Sequence, residues 1–166
     1  MTAEKIKAIF CSQGHMDVEW YLPLDTYKFW FSQALEQLEA ACRDHPDFPC
    51  YILDGSIFPL ILILRSHPEK EKVITDLIKR KKSIIGPFYT QFDEWLPSGE
   101  TIIMNCLWGD RGARRLGAEP MKCGYLPDNF GHPEQLPQIL RNFGIDNLFF
   151  SRGMPEHNNP EHEFIW

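Results

Sequence analysis

The apolar positions along this chain alternate between short runs and helically spaced stripes. The short runs predict strands, and the stripes between them predict amphipathic helices. After the first run, for example, Phe31, Leu35 and Leu38 recur at helical spacing, with Asp25 as the expected N-cap. The predicted strands are residues 7–12, 50–54, 83–86, 121–126 and 147–150, and the predicted helices are residues 26–43, 57–64, 68–82, 100–116 and 134–143.

This strand–helix–strand repetition is typical of right-handed parallel α/β units. A unit takes roughly thirty residues, so the 166 residues hold about five strands. A complete β/α barrel needs on the order of 250 residues, whereas an open doubly wound sheet would fit this length. The pattern therefore predicts one α/β domain over residues 1–166 and leaves the choice between the two architectures open.

Charge, hydropathy and cysteine content argue against a nucleic-acid-binding, membrane-spanning or disulfide-rich secreted protein. The net charge is −6, with 23 acidic against 17 basic residues, which argues against nucleic acid as a partner. The most apolar run, residues 57–64, is too short to span a bilayer, and residues 1–10 lack the apolar core of a signal peptide. Five cysteines without C-x-x-C spacing predict reduced thiols and a cytoplasmic protein without membrane contact.

The segment after the first predicted strand contains residues of the types that bind metal ions. In folds of this class, functional side chains gather at the carboxyl ends of the strands. His15 and Asp17 are two residues apart, so an extended backbone places both on one side, where they suit a divalent metal. Trp20 offers a flat apolar surface on which a sugar ring can stack. The alternative is a surface His and Asp with a core Trp.

Polar groups also follow the other predicted strands. Asp128 ends the fourth strand, where a barrel places catalytic groups, although an Asp there also caps the turn into the next helix. Asp54 follows the second strand, Asp93 follows the third with Gln91 and Glu94 beside it, and Arg152 follows the fifth. Each of these residues is a weak signal alone, but together they indicate an enzyme site.

These motifs, in this order, resemble glycoside hydrolase family 38, the retaining α-mannosidases, and in particular its bacterial members. The resemblance covers nearly the whole chain. The matching segments are His-x-Asp-x-x-Trp at residues 15–20, Leu-Asp-Gly at 53–55, Ile-Gly-Pro-Phe-Tyr at 85–89, Gly-Tyr-Leu-Pro-Asp-Asn-Phe-Gly at 124–131 and Arg-Gly at 152–153. Gly14 and Ser56 depart from the residues common in the family.

The resemblance implies a seven-stranded β/α barrel, of which this sequence covers about the first five strands. It implies a zinc ion held by His15, Asp17 and Asp128 and contacting the 2- and 3-hydroxyls of mannose, with Asp128 as the nucleophile that forms a covalent glycosyl-enzyme. We expect four further residues to bind the substrate or to hydrogen-bond the metal ligands from behind: Trp20, Arg152, Asp54 and Asp93. The family's fourth metal ligand, a His, and its acid/base Asp have no counterpart in these residues.

Two other functions stay open at this point. One is a metal-dependent polysaccharide deacetylase, which also uses Asp and His on zinc at strand ends. The other is a non-catalytic remnant that binds sugar. We expect the 166-residue polypeptide by itself to be inactive and the natural chain to continue past Trp166, whose apolar neighbours resemble the start of another element. Linkage, aglycone, metal identity and homo-oligomerisation are not fixed by the sequence.

Overall fold

The computed structural model describes residues 8–154 and 164–166. Within them, five strands alternate with helices. The strands are β1 (Ser12–Gly14), β2 (Tyr51–Leu53), β3 (Ser83–Ile84), β4 (Cys123–Leu126) and β5 (Asn147–Phe150). The α-helices are α1 (Leu24–Asp44), α2 (Phe58–Ser66), α3 (Glu71–Lys79), α4 (Gly99–Arg115) and α5 (Leu136–Asn142), with a short 3₁₀ helix at Pro68–Lys70.

All strand pairs in the described part of the chain are parallel, as the alternating pattern predicts. β2 lies between β1 and β3, and β4 pairs with β5 in a second sheet. The segment after β3 continues its pairing with the segment after β2: Phe88 donates to the Gly55 carbonyl at 3.2 Å and accepts from Ile57 at 3.0 Å. A mixed α/β fold with parallel strands is therefore confirmed, while closure into a seven-stranded barrel stays a prediction.

Two apolar clusters fill the space between the strands and the helices. The first packs α1, α2 and α3 together, with Phe31, Ile63 and Leu77 among its buried members. The second joins α4 and α5 to β4, around Leu126 and Leu136, both without exposed surface. Each helix therefore buries one stripe against the sheet layer, and the carboxyl ends of the strands stay free for polar groups.

Two details of the predicted first unit are wrong. Residues 8–11 of the predicted first strand lie outside any strand; β1 begins only at Ser12, where pairing with Tyr51 of β2 starts. Ile9 and Phe10 are exposed, so their apolar character does not report a buried strand. Asp25 is not the N-cap of α1, because that position is Pro23; Asp25 lies in the first turn and accepts a bond from Lys28 at 2.8 Å.

The other helix ends follow the local chemistry. Gly117 and Gly144 have positive φ angles of 80° and 66° just beyond α4 and α5, as expected of C-terminal caps. The predicted helix 68–82 is shorter, because it divides into the 3₁₀ helix and α3, and Lys81 at φ 57° ends the helical path. At α4, Ser98 accepts the Thr101 amide and caps the helix.

The five cysteines are free thiols, with Cys42 and Cys106 buried. Burial raises the pKa of the Cys106 thiol to about 12, so that side chain behaves as a small apolar core group. Among the residues that the structure describes, no helix combines the length and the apolar character needed to cross a bilayer.

Candidate active site

The polar residues singled out in the sequence converge at the carboxyl ends of the strands. His15 directly follows β1, Asp54 directly follows β2, and Asp128 lies two residues beyond β4. Arg152 lies two residues beyond β5. Because parallel strands point their carboxyl ends to one edge, residues far apart in the sequence meet there.

His15 and Asp128 form a cluster with Asp17, which lies two residues after His15. The Nε2 atom of His15 lies 3.5 Å from an Asp17 carboxylate oxygen and 3.7 Å from an Asp128 carboxylate oxygen. The donor atoms of the three residues all lie within 4.8 Å of one another. Their side chains are 26%, 44% and 33% exposed, so the cluster opens to solvent and to any ligand that arrives from it.

The spacing of the cluster fits a divalent cation. Ligand atoms about 2.0–2.2 Å from a tetrahedral ion lie roughly 3.4 Å from one another, close to the two distances observed here. One imidazole nitrogen and two carboxylates are ligand types that zinc and manganese accept. Three protein ligands leave at least one coordination position for another group.

Asp54 fixes the orientation of His15. The Nδ1 atom of His15 donates to Asp54 Oδ1 at 2.8 Å, which turns the lone pair of Nε2 toward Asp17 and Asp128. Asp54 is buried and only 3% exposed. The hydrogen bond that His15 donates to Asp54 raises the pKa of His15, and burial raises the pKa of the Asp54 carboxyl. Asp54 therefore lies behind His15 and makes its imidazole more basic.

Replacing Asp54 by Asn is expected to weaken metal binding by about 10-fold or more, the effect typical of removing a carboxylate behind a ligating histidine. The amide still accepts the Nδ1 proton but no longer supplies negative charge. The measurement is a competition titration against a chromophoric zinc chelator. Asp76→Asn, at an exposed position on α3, is the matched control. Unchanged affinity in Asp54→Asn would show that Asp54 does not support the cluster.

The backbone around Asp54 brings β2 against β4. Asp54 and Gly55 both have positive φ, at 48° and 59°, and form the turn that ends β2. A Cβ on Gly55 would lie 2.8 Å from the Tyr125 carbonyl, so only glycine permits this approach. Gln91 donates from Nε2 to the carbonyls of Asp54 and Tyr125, and so ties together the two strand ends that carry Asp54 and Asp128.

Arg152 contacts Asp128 through both ends of its guanidinium group. Its Nη2 pairs with Asp128 Oδ1, and its Nε donates to the Asp128 carbonyl at 3.3 Å. The guanidinium also lies over the Phe130 ring, 4.3 Å from the ring centroid. One oxygen of Asp128 is thus held by Arg152, and the other faces His15.

Two of the predicted substrate residues lie outside the cluster. Trp20 is 57% exposed, and its ring stacks on Tyr21 with centroids 5.1 Å apart. The remainder of the ring is open to solvent. The Asp93 carboxylate accepts a hydrogen bond from the backbone amide of Trp95 at 2.8 Å, a contact within its own loop. It makes no contact with the cluster among the described hydrogen bonds and ion pairs.

Sequence reasoning missed a second polar cluster behind Asp128. Glu94, Asn129 and His132 are joined there by hydrogen bonds, with Glu94 fully buried at its side chain. Asn129 and His132 were not among the predicted site residues, and Glu94 was noted only as a neighbour of Asp93. The sequence does show that Asn129 and His132 lie within four residues of Asp128. It contains no pattern that identifies Glu94 as their hydrogen-bond partner.

The departure at Gly14 also has a structural reason. A Cβ at this position would lie 2.1 Å from the hydroxyl oxygen of Tyr51, which occupies the space beside β1. Any larger residue at position 14 would displace that ring. The glycine therefore accommodates Tyr51, and His15 and Asp17 still follow it in the sequence.

Comparison with known proteins identifies the family. Residues 5–166 match the model of the glycosyl hydrolases family 38 N-terminal domain. A protein of Halalkalibacterium halodurans with the provisional name mannosylglycerate hydrolase is 31% identical over 173 residues, which cover 98% of this chain and 19% of that protein. The alpha-mannosidase of Saccharomyces cerevisiae is 26% identical over 157 residues, covering 92% of this chain and 14% of that protein.

A solved structure agrees with this assignment. The crystal structure of an alpha-mannosidase from Enterococcus faecalis V583 superposes with a TM-score of 0.80 at 31% identity, covering 84% of this chain and 16% of that one. The chain belongs to glycosyl hydrolase family 38. It spans less than one fifth of the length of each of these three relatives.

Proposed function

We propose that this chain supplies the nucleophile and three metal ligands of a retaining α-mannosidase. The observation that carries the proposal is the cluster of His15, Asp17 and Asp128, with Asp54 behind the histidine. The names of the relatives, alpha-mannosidase and mannosylglycerate hydrolase, support a mannoside substrate. Membership of a glycosyl hydrolase family supports hydrolysis of a glycosidic bond as the reaction.

The proposed metal is zinc, held by His15, Asp17 and Asp128. When bound, it would chelate the cis 2- and 3-hydroxyls of a mannose ring and so favour mannose over glucose, whose corresponding pair is trans. His15 contributes a neutral Nε2 as ligand, because its Nδ1 proton is donated to Asp54. Trp20 offers its exposed ring face to the apolar side of the sugar.

Asp128 is the proposed nucleophile. In the first step, a carboxylate oxygen of Asp128 forms a bond to the anomeric carbon while the bond to the leaving oxygen breaks, and an acid elsewhere in the protein protonates that oxygen. Water then hydrolyses the glycosyl-enzyme and restores the configuration. Arg152 holds the Asp128 carboxylate in place for the attack, because its guanidinium contacts both the side chain and the backbone of Asp128.

The complete activity is proposed for the whole protein. The acid/base Asp and the fourth metal-ligating His that the resemblance implies have no counterpart among the 166 residues. We therefore expect the 166-residue polypeptide alone to leave aryl α-mannosides intact. The five free thiols favour a reducing compartment, in agreement with a proposed cytoplasmic location.

The test uses the protein expressed from its full reading frame with zinc and an aryl α-mannoside. The proposal expects release of α-mannose as the first product, and an activated fluoromannoside should leave a covalent adduct on the peptide that carries Asp128. Release of the β-anomer would exclude retention. Acetate release from acetylated glycans without an adduct would indicate a deacetylase, and metal-independent sugar binding without turnover would indicate a non-catalytic remnant.

A further inference from the structure

A buried Glu–His pair lies directly behind the Asp128 loop. The Nδ1 atom of His132 is 2.7 Å from Glu94 Oε1, and neither side chain has exposed surface. Glu94 Oε1 also accepts from Asn129 Nδ2 at 2.9 Å, and the same amide group donates to the Phe92 carbonyl at 2.8 Å. The loop that contains Asp128 is thereby bonded to the loop that contains Glu94.

The second ring nitrogen of His132 determines where the protons lie. His132 Nε2 is 2.9 Å from the Arg152 carbonyl, and a carbonyl only accepts, so Nε2 carries a proton. The bond between His132 Nδ1 and Glu94 Oε1 then needs a second proton, which either atom can carry. The pair as a whole is neutral in both cases, and it stays bonded only while that second proton is present.

Arg152 links His132 to Asp128: its carbonyl accepts from His132, and its side chain contacts Asp128. The Arg152 guanidinium pairs with Asp128 Oδ1 and with the Asp128 carbonyl. The chain is tightly confined at this point: a Cβ on Gly153 would lie 2.9 Å from His132 Nε2 and 2.8 Å from the Gly131 amide nitrogen. A chain of direct contacts therefore runs from Glu94 through His132 and Arg152 to Asp128.

We propose that Glu94 and His132 are positioning residues that set the orientation of the nucleophile Asp128 by fixing the backbone of Arg152. This inference rests on the proposed function. Burying two ionisable groups contributes little net stability, because desolvation offsets their attraction. The consequence of the pair therefore lies in geometry, since a displacement of about 1 Å at a reacting group lowers rates by roughly 10²-fold.

The proton between the pair makes this positioning dependent on pH. Burial alone would lower the pKa of His132, but the hydrogen bonds to Glu94 and to the Arg152 carbonyl outweigh it, so the pKa is raised. Among the described residues, Glu94 is the titratable group that faces Nδ1, and the ring also lies against the Arg152 carbonyl and the aromatic rings of Phe150 and Trp166. Positioning is thus complete below the ordinary histidine pKa and is lost as pH rises through the raised value.

The first test is a double-mutant cycle between His132→Gln and Arg152→Gln in the full-length protein loaded with zinc. His132→Gln is expected to lower kcat by about 10²-fold with little change in KM, and to have almost no further effect once Arg152 is replaced. The matched control is His67→Gln, which breaks a His–Glu contact on the surface, between His67 and Glu69. Additive effects of the two substitutions would overturn the proposal.

If His132→Gln does not fold, Glu94→Gln replaces it in the cycle, because the amide keeps the buried shape and an acceptor for Asn129. In wild type, kcat is expected to fall at alkaline pH as the pair loses its proton. In Glu94→Gln, that fall should move to lower pH. An alkaline limb that Glu94→Gln leaves in place would overturn the proposal.

A second measurement separates this proposal from the proposed function. Hydrogen–deuterium exchange at the C2 position of each histidine, followed by mass spectrometry, gives the pKa of His132 without any substrate. The proposal expects a pKa for His132 above the ordinary histidine value, falling in Glu94→Gln; an ordinary pKa in wild type would overturn it. The same cycle measured on zinc affinity must also be non-additive, because Asp128 is a ligand, and this holds whether or not mannosides are hydrolysed.

Discussion

Asp128→Asn is expected to lower kcat on an aryl α-mannoside by about 10⁴-fold or more, the scale on which removal of a covalent nucleophile reduces turnover. An amide has nearly the shape of the carboxylate but does not attack the anomeric carbon. Asparagine keeps the shape of the side chain and one acceptor oxygen for Arg152, so the fold stays close to that of wild type. The measurement is steady-state kinetics on the full-length protein with zinc in excess, which offsets any loss of metal affinity.

Two comparisons make this result specific. Asp146→Asn changes an exposed carboxylate just before β5 and should leave kcat within about 2-fold of wild type, as surface changes of this kind do. The fluoromannoside adduct should form on wild type and be absent from Asp128→Asn. Turnover of Asp128→Asn near the wild-type rate would remove Asp128 from the nucleophile role and with it the proposed retaining mechanism.

The order of strands and helices could be predicted from the sequence, because the spacing of apolar residues indicates which face of each element is buried. The stripes of α1 and α4 and the strand ends at Asp54 and Asp128 fall where the pattern predicts them. The first strand was misplaced because a strand is defined by pairing, and β1 pairs with β2 only from Ser12 to Gly14. The apolar residues before it lie exposed, so hydrophobicity alone gave the wrong boundary.

The members of the His15–Asp17–Asp128 cluster were predicted from the sequence, but the contacts that position them were not. His15 and Asp17 are close in sequence, and their shared face follows from strand geometry. The bond from His15 to Asp54 spans 39 positions, and no periodicity reports which of several strand-end acids lies behind the histidine. The link between Glu94 and His132 spans 38 positions and was missed for the same reason.

Removing the metal, or its histidine ligand, is expected to produce the second large effect. His15→Ala should lower zinc affinity by more than about 10²-fold, beyond the loss typical of changes behind a ligand, because it leaves two carboxylates and no imidazole. Chelation of wild type should abolish mannoside hydrolysis, and added zinc should restore it. His67→Ala, at an exposed histidine outside the cluster, is the matched control.

The pH dependence of zinc affinity tests the same assignment from another side. A histidine binds metal only when the ligating nitrogen has lost its proton. The hydrogen bond that His15 donates to Asp54 raises the pKa of His15, so protons compete with zinc up to a higher pH than at an ordinary histidine. Affinity should fall as pH drops through that raised value, and Asp54→Asn should move the fall to lower pH. If His15→Ala shows the same pH profile as wild type, His15 is not a ligand and the proposed metal centre is wrong.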